Sequence, residues 1–361
     1  MNPTTKISAL QFYLMLFLSR MVVGITINAQ TVGGENFLKN IFSSLLLCVL
    51  LFLFAQPLFA MHKRAPEASL PALAEMRMQG IGCGIAAIYA VYFVVMNTFC
   101  LSLFLMLLNN TMDPTASTFS IALVILAIAL FGAVKGIETV SRASICVFSL
   151  FFLGMAVIFI ALLPNVNTQY TEPLFLNGTD QLLRGFFVFA ARCSSLAEFA
   201  VLMPFVQKNS RKGFSLWNGG VTLFLGILLF FVVSCLGEYA YLQIFPVYTL
   251  SSIAEIAGVQ RLDALFMGLC MMTLVIRLAV GLFAISECCA RFVRKNQSRA
   301  LLLAAATLVT LMAATWITAD YERFRDIFKT EYLLVLTVLT GVILPLLVFT
   351  VDRFRRGGGT K

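Results

Sequence analysis

The chain has 361 residues, of which 60% are hydrophobic and only 12% are charged, and its mean hydropathy is +0.93. Soluble proteins carry about 25% charged residues, and one water-soluble core could not bury so much apolar surface. The net charge of +9 would favour nucleic-acid binding in a soluble protein, but membrane proteins concentrate Lys and Arg in their cytoplasmic loops. Composition therefore excludes a soluble protein and predicts an integral membrane protein.

The cysteine and histidine content argues against metal, cofactor and enzyme chemistry. The nine cysteines form no C-x-x-C pair, and nearly all lie in apolar runs, where cysteine behaves as a small apolar residue. The one histidine, His62, cannot build a metal site or a His-based catalytic set, and the sequence offers no nucleophile–base pair. We therefore expect no metal, no cofactor and no enzymatic activity.

Ten apolar runs follow one another along the chain, each close to the roughly 20 residues that a membrane-crossing helix needs. The first run carries Arg20 and lacks a small-x-small cleavage site, which favours a span over a signal peptide. Few residues separate spans 4 and 5, so one re-entrant hairpin is an alternative there. The runs, called spans 1 to 10, are 7–28, 38–60, 80–108, 117–134, 140–163, 183–206, 215–237, 262–290, 299–318 and 331–351.

Loop charges orient these spans. Most of the 26 basic residues lie in loops that alternating spans place on one side, whereas the opposite loops are richer in acids. Because basic loops stay in the cytoplasm, both termini are predicted to be cytoplasmic.

Ten spans divide into two sets of five, here 1–163 and 164–361, and an odd number per half gives the halves opposite orientations. This is the inverted-repeat arrangement of many secondary transporters, whose first span in each half is often unwound to bind the ligand. Residues 19–26 of span 1 and 190–198 of span 6 contain small and hydroxyl residues that weaken helices. Ordinary small-residue packing is the alternative, but the matched positions favour breaks in both spans.

Four charged residues lie well inside spans: Arg20, Arg192, Glu198 and Arg277. Each costs at least about 2.5 kcal/mol to insert, so each should face a cavity or a partner. One glutamate cannot pair with three arginines, and a ligand carboxylate would suit the remaining positive charge. Internal ion pairs, water and backbone carbonyls are the alternative partners. Tyr92 belongs to an aromatic stripe of span 3 that either walls a pocket or contacts lipid and helices.

Three further groups of residues, in order on the ten spans, carry a resemblance to a known family. On these residues the chain resembles the B subunits of bacterial spore germinant receptors, in the amino acid–polyamine–organocation superfamily, from Lys6 to span 10. The groups are Lys135-Gly136-Ile137-Glu138 with Arg142, Glu198 with Pro204-Phe205, and Phe245-Pro246 leading to Arg261-Leu262-Asp263-Ala264-Leu265.

The resemblance implies an all-helical, LeuT-like transporter fold of two inverted five-helix repeats, with spans 1 and 6 broken. It also implies a pocket for a small germinant, typically an amino acid, between spans 1, 3, 6 and 8. The implied partners are a receptor A subunit and a C-subunit lipoprotein, and the implied location is a bacterial inner membrane, namely that of the spore. This chain departs from the family pattern because Arg192 stands where span 6 usually has a glycine. The predicted ligand-binding residues are Ser19, Arg20, Gly24, Thr26, Tyr92, Arg192, Ser194, Ser195, Glu198 and Arg277.

An amino-acid permease, that is a secondary transporter, is the alternative function. Sodium-coupled relatives hold a cation between spans 1 and 8, and span 8 of this chain carries Arg277. A fixed guanidinium would repel sodium, and arginine does not release a proton at physiological pH. The sequence therefore favours a sensor of a small ligand over an ion-driven pump.

Overall fold

Helices form almost all of the described structure, as the apolar runs predict. The computed structural model describes residues 6–26, 37–78, 80–111, 117–171, 180–207, 211–256, 259–260, 262–293 and 296–357. In these residues the α-helices are Ala9–Ile25 (α1), Phe37–Arg64 (α2), Leu70–Met78 (α3), Ile81–Thr111 (α4), Thr118–Lys135 (α5), Ile137–Leu162 (α6), Asp180–Ala191 (α7), Ser195–Leu202 (α8), Arg211–Leu236 (α9), Tyr239–Leu242 (α10), Pro246–Ser252 (α11), Asp263–Cys289 (α12), Asn296–Thr318 (α13), Tyr321–Ile327 (α14), Thr330–Val338 (α15) and Leu344–Gly357 (α16).

The remaining elements are short. Turns of 3-10 helix cover Leu163–Asn165, Thr168–Thr171 and Met203–Phe205, and a π-helical turn, Leu339–Ile343, joins α15 to α16. A two-residue hairpin pairs Glu255–Ile256 (β1) with Val259–Gln260 (β2) in antiparallel register.

Nine helical segments of the described part of the chain are long and apolar enough to cross a bilayer, and α1, with 17 residues, is a shorter apolar helix. Together they coincide with the ten predicted spans, which confirms the predicted all-helical membrane fold. The helices α5 and α6 are both among the nine, which favours two spans over a re-entrant hairpin. Gly136, the residue that joins them, has a φ of 104°, which only glycine adopts readily.

The helices divide into a central and a peripheral set. Most side chains of α1, α4, α8 and α12 are buried. The peripheral helices instead expose large apolar side chains such as Phe131, Leu153 and Leu308, which a bilayer can cover. Spans 1, 3, 6 and 8 therefore meet in the interior, where the resemblance places the germinant pocket.

Span 6 is broken where the sequence predicts it. Helix α7 ends at Ala191 and α8 begins at Ser195, so the three residues between them are not α-helical. Residues 191–202 are nevertheless all buried. The break therefore leaves helix-end backbone groups inside the protein, where they need partners.

Span 1 differs from the prediction. Helix α1 begins with a capping box between Ser8 and Gln11 and continues to Ile25. The predicted break within residues 19–26 is therefore wrong, since only Thr26, the last of these residues, lies outside the helix. Gly24 packs closely against α9, since an added Cβ there would lie 2.5 Å from the Cδ2 of Leu225. The hydroxyl of Thr26 donates to the Val22 carbonyl, 2.6 Å away. The small residues serve helix packing, the alternative reading of this segment; residues 27–28 lie outside the described residues.

Candidate functional site

A buried carboxylate lies at the meeting point of spans 1, 6 and 8. Glu198, in the first turn of α8, accepts hydrogen bonds from Ser19 of α1 at 2.9 and 3.0 Å and from Ser194 at 2.6 Å. Arg277 of α12 forms an ion pair with the same carboxylate. Arg277 is fully buried and Glu198 is 1% exposed. Four predicted residues from three spans therefore form one polar cluster, here called the Glu198 cluster.

The energetics of this cluster explain its composition. Removing two charges from water costs several kcal/mol per ion, and their attraction offsets this only when further hydrogen bonds satisfy both groups. The hydroxyls of Ser19 and Ser194 supply such bonds to the carboxylate. On the arginine side, the Nε and Nη2 atoms of Arg277 are buried without a hydrogen-bond partner among the described residues. The thiol of Cys100 on α4 is a further polar neighbour of this guanidinium.

Two more arginines line a second feature, a narrow cavity between α1, α7 and α9. Arg20 and Arg192 are 7% and 6% exposed. The Nη2 of Arg20 donates to the Phe189 carbonyl at 3.2 Å, and the guanidinium of Arg192 lies 5.6 Å from the centre of the Phe99 ring. The cavity lining also includes Gly24 and Leu225. The predicted arginines of spans 1 and 6 therefore share one cavity, here called the two-arginine cavity.

Span 10 contributes residues that the sequence reasoning missed. The Thr337 hydroxyl donates to the carbonyl of Ala191 at the span 6 break, at 2.8 Å. The Tyr92 hydroxyl lies 3.3 Å from the Thr337 hydroxyl. The Tyr89 hydroxyl donates to the carbonyl of Thr340 at 2.5 Å, within the π-helical turn. Such turns are frequent at functional sites. The sequence did contain a signal for these residues: the hydroxyl residues Thr337 and Thr340 lie four residues and one residue before Gly341.

Two predicted residues lie apart from these contacts. Thr26 is buried and bonds the backbone of its own helix. Ser195 is buried as the first residue of α8, and none of the described hydrogen bonds joins its hydroxyl to the Glu198 cluster. The remaining eight predicted residues lie in the cluster, in the two-arginine cavity or beside Thr337.

An apolar pocket lies between α2 and the span 6 break. Its lining includes Phe54, Phe186, Cys193, Leu196 and Thr337. The pocket has a volume of about 140 Å³, and its wall carries little polar surface. Thr337 belongs to this wall and also bonds the broken helix, so the pocket and the break share a residue.

Comparison with known proteins agrees with this architecture. A solved structure of a Na⁺-coupled sialic acid symporter, in a substrate-bound outward-open state, superposes with a TM-score of 0.61 at 13% identity, covering 93% of this chain and 79% of that one. At this identity the likeness shows the transporter fold alone. A search of curated protein sequences finds no match. The family model described as spore germination protein matches residues 6–323. Since that match spans most of the chain and its central helices, the protein belongs to the spore germination protein family.

Proposed function

We propose that this chain is the membrane subunit of a spore germinant receptor and binds a small germinant, such as an amino acid, in a transporter-like pocket. The observation that carries the proposal is the Glu198 cluster, which brings polar side chains of spans 1, 6 and 8 to the break in span 6. Backbone and polar groups at such breaks bind substrates in transporters of this architecture. Family membership supplies the link to germination.

The proposal includes the setting of the receptor. The subunit lies in the spore inner membrane with both termini in the cytoplasm, and it assembles with a receptor A subunit and a C-subunit lipoprotein. Binding of the germinant shifts the span 6 region between conformations, and the partner subunits respond to that shift. The sequence orientation rule and the family match support this setting.

An ion-driven permease is the second candidate, because the fold resembles that of a sodium-coupled symporter. Against it stands Arg277, which places a permanent positive charge where α12 meets α1 and the span 6 break. A guanidinium neither leaves the site nor loses its proton at physiological pH, so it cannot cycle as a coupling ion does. We therefore favour a receptor in which the Arg277 side chain takes the place of a bound cation.

Ligand binding is tested with the purified full chain in lipid nanodiscs. Each proteinogenic amino acid is added in turn, and the midpoint of thermal unfolding is measured. A true ligand raises the midpoint with its concentration, because it binds only the folded state. The Glu198→Gln variant should lose the rise, whereas Glu322→Gln, which changes an exposed acid of α14, should keep it. If no amino acid shifts the wild-type midpoint, an amino-acid germinant is ruled out.

The permease alternative is tested in liposomes that hold the same protein. Uptake of the amino acid found by the unfolding screen is followed under an inward sodium gradient and then under a proton gradient. We expect no accumulation above that of protein-free liposomes. Gradient-driven accumulation would identify a pump and overturn the receptor proposal.

Germination itself is tested in spores. Spores whose receptor carries Glu198→Gln should stop germinating on the amino acid that binds the purified protein, while their response to germinants of other receptors persists. A normal response to that amino acid would separate the binding site from germination and contradict the proposal.

A further inference from the structure

We infer that the apolar pocket between α2 and the span 6 break binds the end of a lipid acyl chain. The inference concerns a second site and does not depend on the proposed germinant. It stands on the lining of the pocket, its volume, its opening toward the bilayer and its contacts with both helices of the broken span.

The lining of the pocket is suited to a hydrocarbon. Its described side chains are those of leucine, phenylalanine, valine, alanine, one cysteine and one threonine, and none of them carries a charge. The threonine, Thr337, already donates its hydroxyl proton to the Ala191 carbonyl. A polar ligand would give up hydrogen bonds to water without replacing them here, so the pocket disfavours an amino acid or an ion.

The volume of the pocket selects a small hydrocarbon group. It is about 140 Å³, close to that of an engineered apolar cavity of about 150 Å³ that binds benzene. A helix of a partner or of a second copy of this chain is about 10–12 Å across and is too wide to enter. The end of an acyl chain, in contrast, fits this space.

The pocket opens toward the bilayer. Two lining side chains, Phe187 of α7 and Val338 of α15, are 43% and 38% exposed, whereas those of Leu51, Cys193 and Leu196 are at most 8% exposed. Both exposed residues lie on segments that are long and apolar enough to cross a membrane. The lining therefore runs from a buried end to a rim that lipid hydrocarbon surrounds.

The depth of the pocket suits the end of an acyl chain. Its lining residues fall within 47–54, 186–196 and 334–342, which lie near the middle of spans 2, 6 and 10. The hydrocarbon core of a bilayer is about 30 Å thick, and the chain ends of its two leaflets meet at the middle. The rim therefore faces acyl chain ends rather than headgroups.

The occupant would contact both helices of the broken span. The lining includes Ala190 in the last turn of α7, Cys193 in the break and Leu196 in the first turn of α8. Unfilled apolar space leaves such side chains without packing partners and lowers stability. An acyl chain end that fills the space would therefore hold α7 and α8 in the arrangement described.

The test uses the purified full chain in nanodiscs that contain a small fraction of a phospholipid with a photoreactive diazirine at the end of one acyl chain. After illumination, mass spectrometry locates the labelled residues. We expect labelling of Cys193 and Leu196, because these buried side chains are within reach of an acyl chain only through the pocket.

Variants that fill the pocket should reduce this labelling. Ala190→Leu should lower it by about tenfold, because the displacement of about two methylene groups weakens binding by about this factor. Ala127→Leu is the matched control: it adds the same group at an exposed position of α5 outside the pocket, and it should leave the labelling unchanged.

A second variant guards against a folding defect of Ala190→Leu. Val338→Phe narrows the exposed opening without needing buried space, so it should also reduce labelling of the two buried residues, whereas Val124→Phe, at an exposed position of α5, should not. The inference is overturned if the buried residues stay unlabelled in the wild type while Phe187 is labelled. It is also overturned if the pocket variants that fold are labelled there like the wild type.

Two further results would assign the pocket to another occupant and overturn the inference. If the lipid label stays out of the pocket while benzene raises the unfolding midpoint of the wild type but not of Ala190→Leu, the occupant is a free small hydrocarbon. If a photoreactive amino acid in place of Phe187 cross-links one copy of the chain to another, a second copy covers the pocket. Failure of the germinant screen leaves all these results unchanged, since the Glu198 cluster lies outside the lining.

Discussion

Glu198 and Arg277 are both buried, but they differ in how they can lose their charge. A carboxylate without a partner takes up a proton and becomes neutral, whereas a guanidinium remains charged. Glu198 also accepts hydrogen bonds from Ser19 and Ser194, and neither bond involves Arg277. Arg277, in contrast, has Glu198 as its ion-pair partner. Removal of Glu198 should therefore destabilise the protein more than removal of Arg277.

The first prediction compares the two truncations. Glu198→Ala strands a buried guanidinium and should cost about 3–5 kcal/mol of stability, the range for breaking a buried pair. Arg277→Met should cost clearly less, because the remaining glutamic acid can be neutral and stay hydrogen-bonded. Unfolding midpoints in nanodiscs measure both, and the double variant should be more stable than Glu198→Ala alone. Equal losses, or a larger loss for Arg277→Met, would contradict this account of the cluster.

At the scale of elements, span 6 depends on span 10. The break frees the carbonyl of Ala191, and Thr337 of α15 donates to it just before the π-helical turn. Gly341 within that turn lets it approach α8, since an added Cβ would lie 3.3 Å from the Cβ of Leu196. Two irregular helices therefore support each other: one supplies a free acceptor and the other a hydroxyl donor.

The second prediction tests that support. Thr337→Val keeps the side-chain shape and removes the donor, so it should lower stability by about 0.6–1.7 kcal/mol, as measured for hydrogen bonds between membrane helices. Because the break loses an anchor, ligand binding should weaken as well. Thr310→Val is the control: Thr310 is also buried, but it bonds Ala306 of its own helix. If the two variants lose the same stability and bind ligand equally, Thr337 does not hold the break.

The break in span 6 could be predicted from the sequence, but the continuity of span 1 could not. Both segments carry small and hydroxyl residues, and their composition alone does not tell what those residues contact. In span 6, Ser194 bonds Glu198 four residues later. In span 1, Gly24 packs against Leu225, which lies on a helix some 200 residues further along the chain. Contacts with a distant helix leave no local pattern, which is also why Thr337 escaped notice.

At the scale of the whole molecule, the end of the chain is tied to the first loop predicted to be cytoplasmic. Asp352 of α16 is fully buried and lies 3.0 Å from the Nε of Arg77 on α3 and 3.5 Å from Arg64 at the end of α2. Glu75 of α3 also lies 3.7 Å from Arg291, just after α12. Helix α3 therefore joins three spans on one side. The predicted orientation places this network at the cytoplasmic side of the membrane.

The third prediction concerns that orientation. A cysteine placed at Lys63, an exposed residue beside this network, should react with a membrane-impermeant thiol reagent in inside-out vesicles only. Arg323→Cys, on the opposite side of the chain in the predicted orientation, should react in right-side-out vesicles only. The unmodified chain, with its nine native cysteines, gives the background. The opposite pattern of labelling would reverse the orientation of the whole molecule.

Much of the whole-molecule architecture could be predicted because hydropathy and loop charge act over entire spans. Ser19, Ser194, Glu198 and Arg277 converge although they lie as much as 258 positions apart in the sequence. Only one physical argument indicated such a cluster, namely that a buried charge needs a partner. The pairing of Glu198 with Arg277 rather than with Arg192 depends on helix geometry, which the sequence does not specify.

We propose that a small ligand binds at the span 6 break and that the guanidinium of Arg277 takes the place of a coupling ion. If sodium were coupled to the ligand, each would raise the affinity of the other by the same factor. The direct measurement is the half-saturating concentration of the amino acid found by the unfolding screen, in sodium buffer and in choline buffer. We expect the same value in both buffers and no binding to the Glu198→Gln variant. A value about tenfold or more lower in sodium would contradict it.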